Sequence, residues 1–124
     1  MANTFRNKTS KGVGTSYFQV GANSAGASQS GAYAVPSSTE TTVIGLSLSN
    51  KTTSSVDVDV ALSTTMANTT NDISMASAIP VPAGSTLVLV GGDQKLVMET
   101  TELVKVKSSA ASSIDVIMSL LEIT

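Results

Sequence analysis

Few side chains in this sequence are equipped for chemistry, and the nearest candidates are Asp57 and Asp59 in the run Val56-Asp57-Val58-Asp59-Val60. On a strand, residues two apart project from the same face, roughly 6.5–7 Å from each other. Carboxylates so spaced serve glycosidases as acid and base, and calcium sites as ligands. A solvated strand face also needs charge to stay soluble and to resist edge pairing, and that simpler reading prevails. Calcium would need further oxygens, and Asp72 or Asp93 could supply them only through the fold. Gly91-Gly92-Asp93-Gln94-Lys95 superficially matches a phosphate-cradling loop but lacks the longer glycine spacing and the following helix, so a hairpin turn accounts for it. Lys105 and Lys107 are expected as edge or surface charges. The Asn-X-Thr patterns at Asn7, Asn50 and Asn68 are chance matches in a Thr-rich chain.

Composition closes most other routes to catalysis. The chain has 124 residues, about one domain's worth, and contains no Cys, His or Trp. Disulfides, histidine bases, thiol nucleophiles and zinc-finger sites are excluded. Ser and Thr make up 36 of the 124 residues, but no histidine stands ready to activate a hydroxyl. Only 13% of residues are charged, so hydroxyls replace charges on the surface. No catalytic set, cofactor or metal site is expected, and the chain reads as a non-enzyme. No apolar run approaches the roughly 18 residues of a membrane span, and no secretion signal opens the chain. Neither a membrane nor nucleic acid is expected as a partner.

The elements fall into two regions. Residues 1–39 carry Arg6, Lys8 and Lys11 without an acid, whereas residues 40–124 carry nine acids and four lysines. Gly21–Ala32 is almost wholly Gly, Ala, Ser, Asn and Gln, too apolar-poor to order itself. Residues 1–39 therefore read as an extended, flexible N-terminal arm, with residues 40–124 as the folded domain. All four aromatic residues, Phe5, Tyr17, Phe18 and Tyr33, lie in that arm. Tyr17, Phe18 and Tyr33 are candidate anchors for pockets on a partner, with Arg6, Lys8 and Lys11 meeting acidic surface.

From Thr41 the hydrophobic period is two. Strands are expected over Thr41–Ser49, Val56–Leu62, Leu87–Val90, Lys95–Met98, Glu102–Lys107 and Ser113–Ile123. The last has apolar groups on both faces and is expected to be central and covered on both sides. Asn50–Ser55 should form a hairpin or a sandwich corner. Ile73–Pro80 is a weaker strand that Pro80 and Pro82 confine to an edge or a crossing. Six to eight short strands with turns between them, and no helical period, predict an all-β fold: a small β-sandwich or jelly roll.

Several runs carry a family likeness. Tyr33-Ala34-Val35-Pro36, Thr41-Thr42-Val43-Ile44-Gly45-Leu46, Pro80-Val81-Pro82-Ala83-Gly84, Gly91-Gly92-Asp93-Gln94-Lys95, Lys105-Val106-Lys107-Ser108-Ser109, Ser113-Ile114-Asp115-Val116 and the ending Leu121-Glu122-Ile123-Thr124 together resemble small virion proteins of tailed bacteriophages, marine and cyanobacterial phages above all. The likeness covers residues 30–124, and Met1–Lys8 resembles the short leader of such proteins. Glu99-Thr100-Thr101-Glu102 departs from it, where a Pro-Gly-Asp turn would be usual. The resemblance implies a non-enzymatic structural component of the virion, assembled in the host cytoplasm and partnered by other virion proteins.

The expected role is a capsid decoration or cement subunit that binds the shell through the arm and the sandwich surface, and homo-oligomerisation is expected. Deletion of residues 2–32 should then detach it while leaving the sandwich folded. The alternative is a neck, tail or fibre-attachment adaptor that pairs sheet edges near Ile73–Pro82. A carbohydrate- or receptor-binding module is more remote, because nothing aromatic follows Thr41 to form a sugar platform.

Overall fold

Residues 2–21, 32–67 and 69–124 are described by the computed structural model, and they form strands and turns without a helix. The alternation of Val, Ile and Leu with Ser, Thr and Asp dictates this outcome. At period two every second side chain reaches one face, where β-branched groups pack well. In chain order the strands are β1 Asn3–Val13, β2 Phe18–Gln19, β3 Glu40–Asn50, β4 Val56–Ser63, β5 Ile73–Val81, β6 Thr86–Val90, β7 Leu96–Met98, β8 Leu103–Ser108 and β9 Ile114–Ile123. They assort into two antiparallel sheets, β1-β9-β3-β6 with β7 also on β3, and β2-β8-β4-β5. The protein is a small β-sandwich.

Its core is aliphatic. Val43, Leu46 and Leu48 of β3 and Val116, Met118 and Leu120 of β9 pack with Val58 and Val60 of β4 and Val106 of β8, each 1% exposed or less. β9 is central, as its sequence implies, with β1 on one side and β3 on the other. Among the described residues its second face is left partly open, however: Ile117 is 51% exposed and Leu121 and Ile123 are half-buried.

The region read as an arm belongs to the body wherever it is described. β1 pairs with β9 from Asn3↔Ile123 to Ser10↔Val116 and, past a bulge, at Val13↔Ile114. β2 joins β8 through Phe18↔Val106 and Gln19↔Lys105. The Tyr33 N–H donates to the Val20 carbonyl (2.9 Å), and the Val35 N–H to that of Glu102 (3.0 Å). Val13, Val20, Tyr33 and Val35 are core residues, so no domain boundary falls at residue 39. β1 escapes a hydrophobicity reading because a backbone ladder holds it: only Phe5 and Val13 along it are apolar. Residues 22–31 of the low-complexity run lie outside the described residues.

The connections follow from local chemistry. Asn50 is buried at the β3–β4 link, and its amide donates to the carbonyls of Ser54 (2.8 Å) and Val81 (2.9 Å). That link is a corner between sheets, not a hairpin, since β3 and β4 belong to different sheets. Pro82–Ser85 closes as a turn, with Gly84 at φ +70° and the Ser85 N–H on the Pro82 carbonyl. Gly91–Lys95 is also a turn, yet it makes no hairpin: β6 and β7 both run antiparallel to β3 and so parallel to each other along one edge. β5 is an edge strand, where Pro80 removes a donor at no cost to the ladder.

Because β1 is part of the body, residues 2–32 are not dispensable, and removing them takes two strands from the sandwich. Val13→Ala is expected to cost about 2 kcal/mol in urea unfolding, from the two lost carbons and the cavity they leave. A change indistinguishable from zero would restore the arm.

Candidate functional site

β1 brings Arg6, Lys8 and Lys11 to the edge of the first sheet, and its alternation sorts its side chains between two faces. Arg6, Lys8 and Ser10 lie opposite Leu120, Met118 and Val116 and share their inward face. Asn3, Phe5, Asn7 and Thr9 project outward with Ile123, Leu121, Ser119 and Ile117. This outer face is the unusual surface of the molecule. Four of the five exposed large hydrophobic residues stand on it: Phe5 (73%), Val88 (64%), Val97 (59%) and Ile117 (51%). Ser47, Ser49, Thr42 and Thr86 fill the spaces between them. Among described residues, the charges on its β3 and β9 strands are Glu40 at one end and Asp115, held by Lys51 at 3.0 Å, at the other. A depression of about 540 Å³ is lined by Phe5, Arg6, Asn7, Lys8, Ile44 and Ser119, and a second of about 390 Å³ by Asn7, Thr9, Lys11, Asp115 and Ile117.

Arg6, Lys8, Phe18 and Tyr33, expected to meet a partner, are engaged within the chain, whereas Phe5 stands exposed. Arg6 Nε donates to Glu122 Oε1 at 2.6 Å, and the Tyr33 hydroxyl donates to Glu122 Oε2 at 2.7 Å. That hydroxyl also meets Thr41 Oγ1 at 2.8 Å, and Lys8 Nζ lies 5.7 Å from the Tyr33 ring centroid. Burial pushes the Glu122 carboxyl up, but the donors Arg6 and Tyr33 and the charges of Arg6 and Lys8 outweigh it and hold the group below its usual range. The hydrogen bond to Glu122 raises Arg6. Burial, with Glu122 alongside, pushes the Tyr33 phenol up to about 12 although Thr41 opposes it. Phe18 packs half-buried against the core. Tyr33 and Phe18 are thus not available as anchors, because their rings fill this chain's own core.

A second charged cluster corrects the reading of Lys105. Its side chain is 1% exposed on the outer face of the second sheet, beneath Thr65 and Asp72. Nζ lies 2.8 Å from Asp72 Oδ2, donates to the Thr65 carbonyl at 3.2 Å, and sits 4.9 Å from the centroid of Tyr17. Lys107, more exposed, also lies 4.9 Å from the Tyr17 ring centroid, and 3.8 Å from Asp59. The hydrogen bond from Lys105 holds Asp72 below its ordinary value, and burial raises Tyr17. Tyr17 is thereby bound to two lysines of its own chain. The spacing rule placed Lys105 on the outward face correctly, but no local signal shows that a loop folds over it.

Asp57 is exposed, and Asp59 Oδ1 accepts the Ala78 N–H at 2.6 Å. Among the described residues no group of three or more His, Cys, Asp or Glu could hold a metal ion. Sequence reasoning missed the outer face of the first sheet; its signal was the second apolar row of β9, Ile117, Leu121 and Ile123. Compared with protein-family models, curated protein sequences and solved structures, the chain matches none.

The two clusters make stability depend on pH at both ends. Glu122 and Asp72, held below their ordinary values, contribute stability at neutral pH that is lost as pH falls through their folded values. Tyr33, raised from 10.0 to about 12, contributes stability that is complete below pH 10 and lost as pH climbs toward 12. Spectrophotometric titration should therefore show Tyr33 ionising late. Tyr33→Phe should abolish that late step and cost about 1.5–3 kcal/mol, the range for a hydrogen bond to a charged group. Lys105→Met should destabilise the protein by leaving Asp72 uncompensated, and Lys105→Met with Asp72→Asn should recover part of the loss. Hydrogen exchange across residues 64–72 reports both effects.

Proposed function

We propose that the protein is a non-enzymatic structural subunit of a tailed-bacteriophage particle, a decoration or cement protein lying on the capsid shell. The observation that carries this reading is the outer face of the β1-β9-β3 sheet. A surface with Phe5, Ile117, Val88 and Val97 exposed and its charges set toward the ends and the β1 edge suits a macromolecular partner, since exposed apolar patches of this kind mark interaction sites. Its depressions are shallow and carry no convergent set of acid, base and nucleophile, which favours docking over turnover. The resemblance of residues 30–124 to small phage virion proteins supports the particle as the setting.

The mode of attachment differs from an arm draped over the shell. Arg6, Tyr17 and Tyr33 are committed to Glu122, the two lysines and Thr41, so the contact passes to Phe5, Ile117 and their neighbours. A neck or tail adaptor is the second reading, favoured by the long open edge of β1. The edge first considered for such pairing, Ile73–Pro82, is the poorer template because Pro80 donates nothing and Ala78 sits at φ 48°.

Quantitative mass spectrometry of purified particles, scaled to the major shell protein, tests the proposal. Hundreds of copies per particle are expected. About six or twelve, the counts of a ring, would place it at the neck or tail, and absence would end the virion reading. Ile117→Asp, which leaves the core untouched, should weaken binding to shells at least about tenfold, equivalent to ~1.4 kcal/mol.

A further inference from the structure

Ala2 and Thr124 exchange both backbone hydrogen bonds, at 3.3 and 3.0 Å. In an antiparallel ladder such bonded pairs alternate with unbonded ones. Thr4, Arg6, Lys8 and Ser10 therefore direct their N–H and C=O groups to β9, whereas Asn3, Phe5, Asn7 and Thr9 direct theirs away from it. Among the described residues no strand lies on that side. The other sheet edges are poor templates. β2 has two residues, β5 carries Pro80 and a left-handed Ala78, and β6 and β7 are short pieces interrupted by the turn at Gly91–Lys95. β1 alone offers a long regular row of outward donors and acceptors, with Phe5 standing 73% exposed above it.

We infer that the free edge of β1 pairs antiparallel with β1 of a second copy about a two-fold axis at Phe5. Charge selects the register. Residues directly opposite on one face approach within about 5 Å, and like charges there repel. A two-fold at Arg6 sets Arg6 against Arg6, one at Asn7 sets Arg6 against Lys8, and one at Lys8 sets Lys8 against Lys8. Centres farther along run into the bulge between Ser10 and Val13. A centre at Thr4 joins only two bonded pairs, Asn3 with Phe5 and its symmetry mate. The centre at Phe5 joins three: Asn3 with Asn7, Phe5 with Phe5 and Asn7 with Asn3. It sets Arg6 against Thr4 and Lys8 against Ala2, with no like charges directly opposed. Registers shifted by one residue bring outward groups against inward ones and make no ladder. The pairing fuses two first sheets into one continuous sheet and joins their outer faces through an aromatic pair. It stands independently of the virion reading, since it belongs to the purified chain.

Sedimentation of the purified protein, together with two cysteine variants, tests this. The sequence has no cysteine, so each introduced thiol reports alone. In the inferred register Phe5→Cys places two thiols on directly opposed residues, with Cα atoms about 5.5 Å apart and within disulfide range. Asn7→Cys places them roughly 14 Å apart along the strand, beyond reach. The wild type should sediment as a dimer, and Phe5→Cys but not Asn7→Cys should become covalently dimeric under mild oxidation. Asn7→Pro removes an outward N–H that β9 does not use, and should weaken association at least tenfold while the fold persists. A wild type that remains monomeric, its edge left for another protein's strand, overturns the inference. Cross-linking through Asn7→Cys in preference to Phe5→Cys overturns the register.

Discussion

Burying a carboxylate between two sheets costs free energy unless donors meet it, and Glu122 is met by two. Arg6 reaches it from β1 and Tyr33 from the segment that precedes β3, and the Tyr33 hydroxyl passes the connection to Thr41 on β3. One acid near the end of β9 thus fastens both neighbouring strands and the crossing segment to one point. The placement of Tyr33 in the core depends on it, because its ring enters the interior with the hydroxyl satisfied. The same interaction explains why a strand as polar as β1 belongs to the fold: its arginine completes the donor set.

The second cluster applies that logic on the opposite sheet, where Lys105 is buried by Asp72, Thr65 and Tyr17. Four ion pairs among the described residues take up eight of the sixteen charged residues, and of these pairs only Lys105–Asp72 is largely buried at both partners. The exposed Phe5, Ile117, Val88 and Val97 follow from where the apolar residues fall in the alternation.

Strands whose side chains alternate in polarity were legible from the sequence. β3, β4, β8 and β9 lie where the alternation of Val, Ile and Leu with polar residues puts them, and the turn at Pro82–Ser85 forms where proline and glycine direct it. β1 was not legible, because Asn3–Val13 is held by backbone pairing to a strand more than a hundred residues away and buries little of its own. Tyr33 and Lys105 were misjudged for a related reason. An aromatic beside a low-complexity run suggests an exposed anchor and a lysine on an alternating strand suggests solvent, until distant partners, Glu122 for one and Asp72 for the other, turn each inward. The outer face of the first sheet was half visible: the double apolar rows of β9 were read as coverage on both sides, whereas among the described residues one row stays partly open, with Ile117 51% exposed.

The insertion of β9 between β1 and β3 also sets an order of events. β3 can acquire β6 and β7, and β4 can acquire β5 and β8, while the C-terminal stretch is still being synthesised. β1 cannot be placed until residues 114–123 exist, since its ladder is with β9 alone. Contacts so remote in sequence close slowly, because the loop entropy comes due before the contact forms. Of the strands described, β1 leaves the ribosome before its only ladder partner and is thus the last to be seated, waiting with both of its edges open.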